Sequence, residues 1–254
     1  MLRYAIILLA TPAMATSQDE VLSARLLPGW QQADGSHMVA LELTLAPGWK
    51  TYWRAPGDVG LPPSFDWQGS QNLDAARFHW PAPEVIASGD TVTLGYHDRL
   101  ILPVTLTTQG AGPLRVDLSM DLGICKDICM PAHLEFHAVL EGAGAPDAAI
   151  AAALAAVPAQ GQAALTCAVE PIADGLRLTA RIPMTGAEPY VIFETHDPKV
   201  WVSAAQTRVE DGALVSSADL VPPTGAPFAL DRSGVTVTVL GAGAPVEIKG
   251  CPAG

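Results

Sequence analysis

The sequence predicts an all-β protein built as two β-sandwich domains joined by an Ala-rich linker. Short segments of alternating apolar and polar residues recur along most of the chain, which is the period of a half-buried strand. Turn clusters such as Pro47-Gly48, Pro56-Gly57 and Pro62-Pro63 separate them at the spacing of a sandwich. One stretch, 142–162, breaks the pattern with alanine and divides the strands into two groups.

The elements follow in order. Met1 to Tyr4 carries one positive charge, Arg3, and leads into an apolar run from Ala5 to Ala15 with a break at Pro12. Ala13-Met14-Ala15 is a small-x-small cleavage site, so residues 1–15 read as a Sec signal peptide. The run is shorter than the roughly 20 apolar residues of a membrane helix, and no other stretch is long or apolar enough. The mature product is expected to be soluble and periplasmic, with no membrane span of its own, in a compartment where disulfides form.

The first domain is assigned to 19–141. Met38–Leu45, Leu100–Leu106, Leu114–Met120 and Leu134–Leu140 read as its strands. Pro103 marks the second of these as an edge or bulged strand. Within the linker, 142–162, Ala148 to Ala156 has the composition of one short helix before Pro158. The second domain, 163–254, resumes with Leu176–Ile182, Tyr190–Phe193, Trp201–Val202 and Val235–Leu240.

Charge narrows the function classes. The formal net charge is −12, and cleavage of the signal removes one further positive residue, Arg3. There is no basic stripe for nucleic acid or anionic lipid. Acidity of this kind serves solubility and names no partner.

The chemistry lies in the cysteines. Four are present, an even count. Cys125 and Cys129 sit between two alternating strands, in or beside a hairpin connection. A tight connection brings two Cα atoms within the roughly 4.4–6.8 Å of a disulfide. The loop so closed is tiny, so its entropic contribution is small. Redox exchange and an inert staple stay equally open on these grounds. Lys126 favours a thiolate at Cys125, and Asp127 opposes it.

A metal reading uses the same stretch. Cys125, Cys129, His133 and His137 recur every four residues and would share one face of a helix as a Cys2His2 clamp for copper or zinc. Met120 and Met130 offer further soft ligands, although methionines beside an apolar strand usually belong to the core. Pro131 argues against that helix. The residues after it alternate as a strand, with His133, Glu135 and His137 on one face. The metal site is therefore the rival reading, and no cofactor is expected beyond a redox-active disulfide. Cys167 and Cys251 bracket the second domain. A bridge between them closes a long loop, worth about 4–5 kcal/mol in the chain-entropy model. They read as a structural staple, with two free or exchange-active thiols as the alternative.

An ordered series of motifs extends the argument. Gly48-Trp49-Lys50-Thr51-Tyr52-Trp53-Arg54-Ala55-Pro56-Gly57-Asp58-Val59-Gly60-Leu61-Pro62-Pro63 is followed by Asp66-Trp67, Asn72-Leu73, Trp80-Pro81-Ala82-Pro83, Gly95-Tyr96 and Leu102-Pro103-Val104. Then comes Cys125-Lys126-Asp127-Ile128-Cys129-Met130-Pro131. From about Val21 to Leu140 this resembles the periplasmic N-terminal domain of the DsbD/ScsB thiol:disulfide interchange proteins. The branch it resembles is ScsB, the suppressor of copper sensitivity.

The resemblance implies an immunoglobulin-like fold, extended here to both sandwiches, and a relay of reducing equivalents. The expected partners are a thioredoxin-like reductant or membrane electron carrier on one side and periplasmic thiol oxidoreductases on the other. It implies that Cys129 is the attacking thiol and Cys125 the resolving thiol. Two departures stand out. Family members usually continue into membrane and thioredoxin-like domains, so a chain ending at Gly254 is expected to draw on a separate protein for its reductant. The family's short aromatic cap loop corresponds to Pro83–Asp90, which holds no aromatic residue; either Ile86, Trp80 or Tyr96 shields the pair or the shield is absent. Trp49, Tyr52, Trp53 and Trp67 read as core and turn packing.

Overall fold

A computed structural model describes residues 17–254, apart from 58, 90, 162, 163, 185 and 187. The signal-peptide assignment lies outside the described residues. After a single helical turn, α1 (Gln18–Val21), ten strands of the first sandwich lie among the described residues. They are β1 (Leu22–Gln31), β2 (His37–Leu45), β3 (Lys50–Tyr52), β4 (Ser64–Asp66), β5 (Leu73–Phe78), β6 (Glu84–Ser88), β7 (Thr91–His97), β8 (Arg99–Thr108), β9 (Leu114–Cys125) and β10 (Cys129–Leu140). One sheet has the order β1-β2-β8-β5 and the other β10-β9-β3-β7-β6, with β4 also paired to β9.

The alternation read from the sequence sets which residues fill the core. In β9, Leu114, Val116, Leu118 and Met120 point inward, and in β10 Ala132, Phe136 and Leu140 do the same. They meet Val39, Leu41, Leu43, Leu102, Val104 and Leu106 of the facing sheet. Each large apolar side chain buried this way contributes about 1.5–3 kcal/mol of transfer free energy.

Pro103 is not on an edge: β8 lies between β2 and β5. The carbonyl of Pro103 accepts from the His79 N–H at 2.8 Å, just beyond Phe78, the last residue of β5. A strand residue directs its N–H and C=O to the same side. The proline nitrogen therefore faces the end of β5, and no ladder bond to β2 is lost.

Between the two groups of strands, α2 (Ala148–Ala155) is capped by Asp147, whose carboxylate accepts from Ala149 N at 2.7 Å and Ile150 N at 3.2 Å. Its one buried residue, Ile150, packs with Leu27, Met38 and Ala40 on the outer side of the β1-β2-β8-β5 sheet.

The second sandwich is formed by β11 (Ala159–Gln160), β12 (Thr166–Ile172), β13 (Gly175–Ile182), β14 (Tyr190–Glu194), β15 (Trp201–Val202), β16 (Gln206–Glu210), β17 (Ala213–Val221), β18 (Thr236–Leu240) and β19 (Val246–Lys249). Its sheets run β11-β19-β18-β14 and β12-β13-β17-β15, with β16 also on β17. A disulfide joins Cys167 in β12 to Cys251, which follows β19, and so ties one sheet to the other. The Arg232 guanidinium donates to both Cys167 O and Cys251 O, at 3.0 and 3.2 Å.

The two sandwiches touch. Ile192 and Leu240 of the second join the core cluster of the first. Arg54 reaches across to Glu194 and Glu247.

Candidate functional site

Strands β9 and β10 pair in unbroken register from Leu114↔Leu140 to Cys125↔Cys129. The two cysteines therefore close the hairpin as its last facing pair, with Lys126, Asp127 and Ile128 between them. Their Cα atoms are 4.1 Å apart and their sulfurs are bonded. The two cysteines are not equivalently placed. Cys125 is 1% exposed, whereas Cys129 lies open at the surface beside Ile128, itself 63% exposed.

The burial of Cys125 has a specific source. Strand β3 pairs with β9 on one side, Lys50↔Cys125 and Thr51↔Ile124, and with β7 on the other, Lys50↔His97, Thr51↔Tyr96 and Tyr52↔Gly95. Because side chains alternate along a strand, Lys50, Tyr52, Cys125 and His97 share the outer face. Thr51, Tyr96 and Ile124 face the opposite way, and Tyr96 and Ile124 lie in the core cluster.

Tyr52 lies along this outer face toward the disulfide. Its hydroxyl donates to Cys125 Sγ at 2.8 Å and stands 3.5 Å from Cys129 Sγ. Neither bonded sulfur carries a proton, so the phenol is the donor in both contacts. Burial pushes the Tyr52 phenol above its usual value of 10.0. It remains a neutral O–H donor through the physiological range.

Glycines make the slot for that ring. A Cβ on Gly123 would sit 3.1 Å from Tyr52 Cε2 and 2.7 Å from Leu61 Cβ, and one on Gly60 would sit 2.9 Å from Tyr52 Cδ1. The chain arrives there because β9 is paired first by β4, at Ser119–Asp121, and then by β3, at Ile124–Cys125. The connection between β3 and β4 must cross the gap at Leu122–Gly123. Leu61 therefore lies on Gly123 beside Tyr52.

The candidate shields fall elsewhere. Tyr96 is on the core face, and its hydroxyl donates to Pro81 O at 2.7 Å. Trp80 packs in an aromatic cluster with Phe65 and Phe78. Ile86 sits in β6 opposite Thr93. Tyr52, read from the sequence as packing, is the aromatic residue at the sulfurs. Its signal was available: it alternates with Trp49, Thr51 and Trp53, which places it on the opposite face from the core.

Lys126 does not turn to Cys125; its ammonium donates to Pro47 O at 3.2 Å. Lys50, across the ladder from Cys125, donates to Thr93 Oγ1 at 3.1 Å. The histidines lie on the exposed face of β10. His133 Nδ1 is 2.7 Å from Asp121 and His137 Nδ1 is 3.3 Å from Asp117. Asp121 holds the His133 imidazole above its usual value. Cys129, His133 and His137 are spaced along an extended strand, roughly 13 Å per step of four residues. Three residues so spaced do not close one tetrahedral shell. Met120 is in the core and Met130 packs against it. Among the described residues no group of three or more His, Cys, Asp or Glu is arranged to hold a metal ion.

Comparison with known proteins agrees with this geometry. The family model for the N-terminal region of thiol:disulfide interchange protein DsbD matches residues 23–141. The crystal structure of the N-terminal periplasmic domain of ScsB from Proteus mirabilis superposes with a TM-score of 0.72 at 21% identity, covering 95% of this chain and 97% of that one. The likeness therefore extends through both sandwiches at the level of fold. No curated protein sequence matches the chain.

Proposed function

We propose that this chain, whose residues 23–141 form a domain of the DsbD N-terminal family, is a periplasmic thiol–disulfide relay module working through Cys125 and Cys129. The observation that carries the reading is the asymmetry of the pair. Cys129 is an exposed residue, whereas Cys125 is buried with its sulfur under a neutral hydrogen-bond donor.

The asymmetry gives the exchange a direction. A thiolate of a thioredoxin-like dithiol attacks Cys129 Sγ, the sulfur it can reach. The Cys125–Cys129 bond breaks and Cys125 leaves as a thiolate, taking the bonding electron pair. Tyr52 stabilises that thiolate through its O–H, and a leaving group of lower pKa departs faster. The second thiolate of the partner then attacks its own mixed-disulfide sulfur and releases Cys129. The partner ends as a disulfide and this chain as a dithiol, with two electrons transferred and protons exchanged with solvent. Run in reverse on an oxidised periplasmic oxidoreductase, the same steps pass the electrons on. Cys129 is the attacking thiol and Cys125 the resolving one. Cys167 and Cys251, with Cys251 only 1% exposed and both carbonyls held by Arg232, serve as a staple. The ScsB likeness supports a periplasmic location, where such a pair cycles.

Trapping tests this assignment. Removing the resolving thiol should leave the partner bound to the attacking one. Cys125→Ala is expected to accumulate a covalent complex with a thioredoxin-like protein on a non-reducing gel, and Cys129→Ala is not. Trapping by Cys129→Ala alone reverses the roles, and trapping by neither makes the pair a staple.

A further inference from the structure

We propose that the second sandwich sets the geometry of the exchange site, with Arg54 as the positioning residue that carries its hold to Tyr52. The inference rests on reading Cys125–Cys129 as the exchanging pair.

Arg54 lies two residues beyond Tyr52, the last residue of the short strand that delivers the phenol. Its guanidinium is clamped from the other sandwich. Nε and Nη2 each donate to Glu194 at 2.8 Å, and Nη2 donates to Glu247 at 2.6 Å. The bidentate fork fixes orientation as well as distance. Arg54 Cζ also stands 4.4 Å from the centroid of the Trp53 ring. The three side chains are largely enclosed, at 27%, 20% and 12% exposure. Burial opposes the charge on Arg54, but the hydrogen bonds and charges of Glu194 and Glu247 outweigh it. Arg54 therefore stays charged throughout the working range.

The backbone around Arg54 is held as well, Trp53 N–H donating to Leu94 O and Leu94 N–H to Pro56 O, each at 3.0 Å, so the clamp acts on a segment already in register. Gly60 borders the Tyr52 ring. Gly60, Pro62 and Pro63 also line a cavity of about 560 Å³ between the sandwiches, together with Arg54, Glu194 and Trp201. The chain beside Tyr52 thus has the ring on one side and open volume near it, and Arg54 ties the segment that leaves β3 to the second sandwich. Releasing Arg54 lets the ring leave the Gly60–Gly123 slot. Cys125 then loses both its cover and its hydrogen-bond donor.

The test uses the full mature chain, reduced and then alkylated with iodoacetamide under quench conditions. Peptide mass spectrometry gives separate rates for Cys125 and Cys129. In a Glu194→Gln, Glu247→Gln double variant, Cys125 labelling is expected to rise about tenfold, the scale of losing one charge-assisted hydrogen bond. Cys129 labelling should change less than about twofold on the same scale. Arg54→Lys, which keeps the charge and loses the fork, should fall between. Unchanged Cys125 labelling in a variant with native circular dichroism overturns the proposal. Where the double variant does not fold, Glu194→Gln alone carries the same reading. Labelling requires no protein partner, so failure of the wild-type chain to exchange with a thioredoxin-like protein refutes the relay and leaves the labelling result to judge the clamp by itself.

Discussion

Tyr52 and Cys125, 73 residues apart in the chain, meet with the phenolic hydroxyl donating to the buried sulfur at 2.8 Å. The contact exists because three strands align in register and because Gly123 carries no side chain where the ring crosses. It places the two ends of a symmetric chemical unit, a disulfide, in unlike surroundings.

Removing only that hydroxyl isolates its contribution. Tyr52→Phe keeps the ring in its slot and deletes the donor. A hydrogen bond to a charged group contributes about 1.5–3 kcal/mol, which corresponds to roughly a ten- to hundredfold change. The expected outcome is a slower opening of the Cys125–Cys129 bond by a dithiol, within that range, with the unfolding midpoint little changed. Stopped-flow fluorescence measures the rate. Wild-type kinetics in Tyr52→Phe would remove the phenol from the mechanism.

The histidines give a second test, one that separates relay from metal site. His133 and His137 pair with Asp121 and Asp117 on the open face of β10. A His133→Ala, His137→Ala double variant is expected to exchange within about twofold of the wild-type rate, because neither ring reaches the sulfurs in an extended strand. Loss of exchange in a folded double variant would favour the Cys2His2 reading.

Acidity should act on the contact between the sandwiches. Burial raises the Glu247 carboxyl, but Gln160 and Arg54 outweigh it and hold the group below its usual 4.5. A depressed carboxylate contributes stability that is fully present above the unfolded value and is lost as pH falls through the folded one. The stability gap between wild type and Glu247→Gln should therefore be widest near neutrality and shrink below about pH 4.5. Urea unfolding across that range measures it. A gap that widens on acidification contradicts the sign.

Much of this architecture is legible in the residues. The alternation from Leu114 to Met120 and from Leu134 to Leu140 reports two strands, and the turn between them locates Cys125 and Cys129. Ala148 to Ala155 is helical, as its composition predicts. What could not be read is pairing across distance. Alternation sets Tyr52 on the outer face, but only the pairing of β3 with β9 brings it to the sulfurs. Tyr96 reads as a buried strand tyrosine or a pocket residue, and its register opposite Thr51 places it on the core face. Pro103 predicts an edge, and only the end of β5 explains how an internal strand accepts it. Arg54 finds Glu194 and Glu247 at separations of 140 and 193 residues, which no local pattern encodes.

The central claim is that one disulfide of this chain exchanges and the other does not. The most direct measurement equilibrates the oxidised mature protein with a thioredoxin-like dithiol, blocks free thiols and maps them by mass spectrometry. Cys125 and Cys129 are expected to appear as thiols while Cys167 and Cys251 remain bonded. Opening of both pairs together, or of Cys167–Cys251 alone, would contradict it.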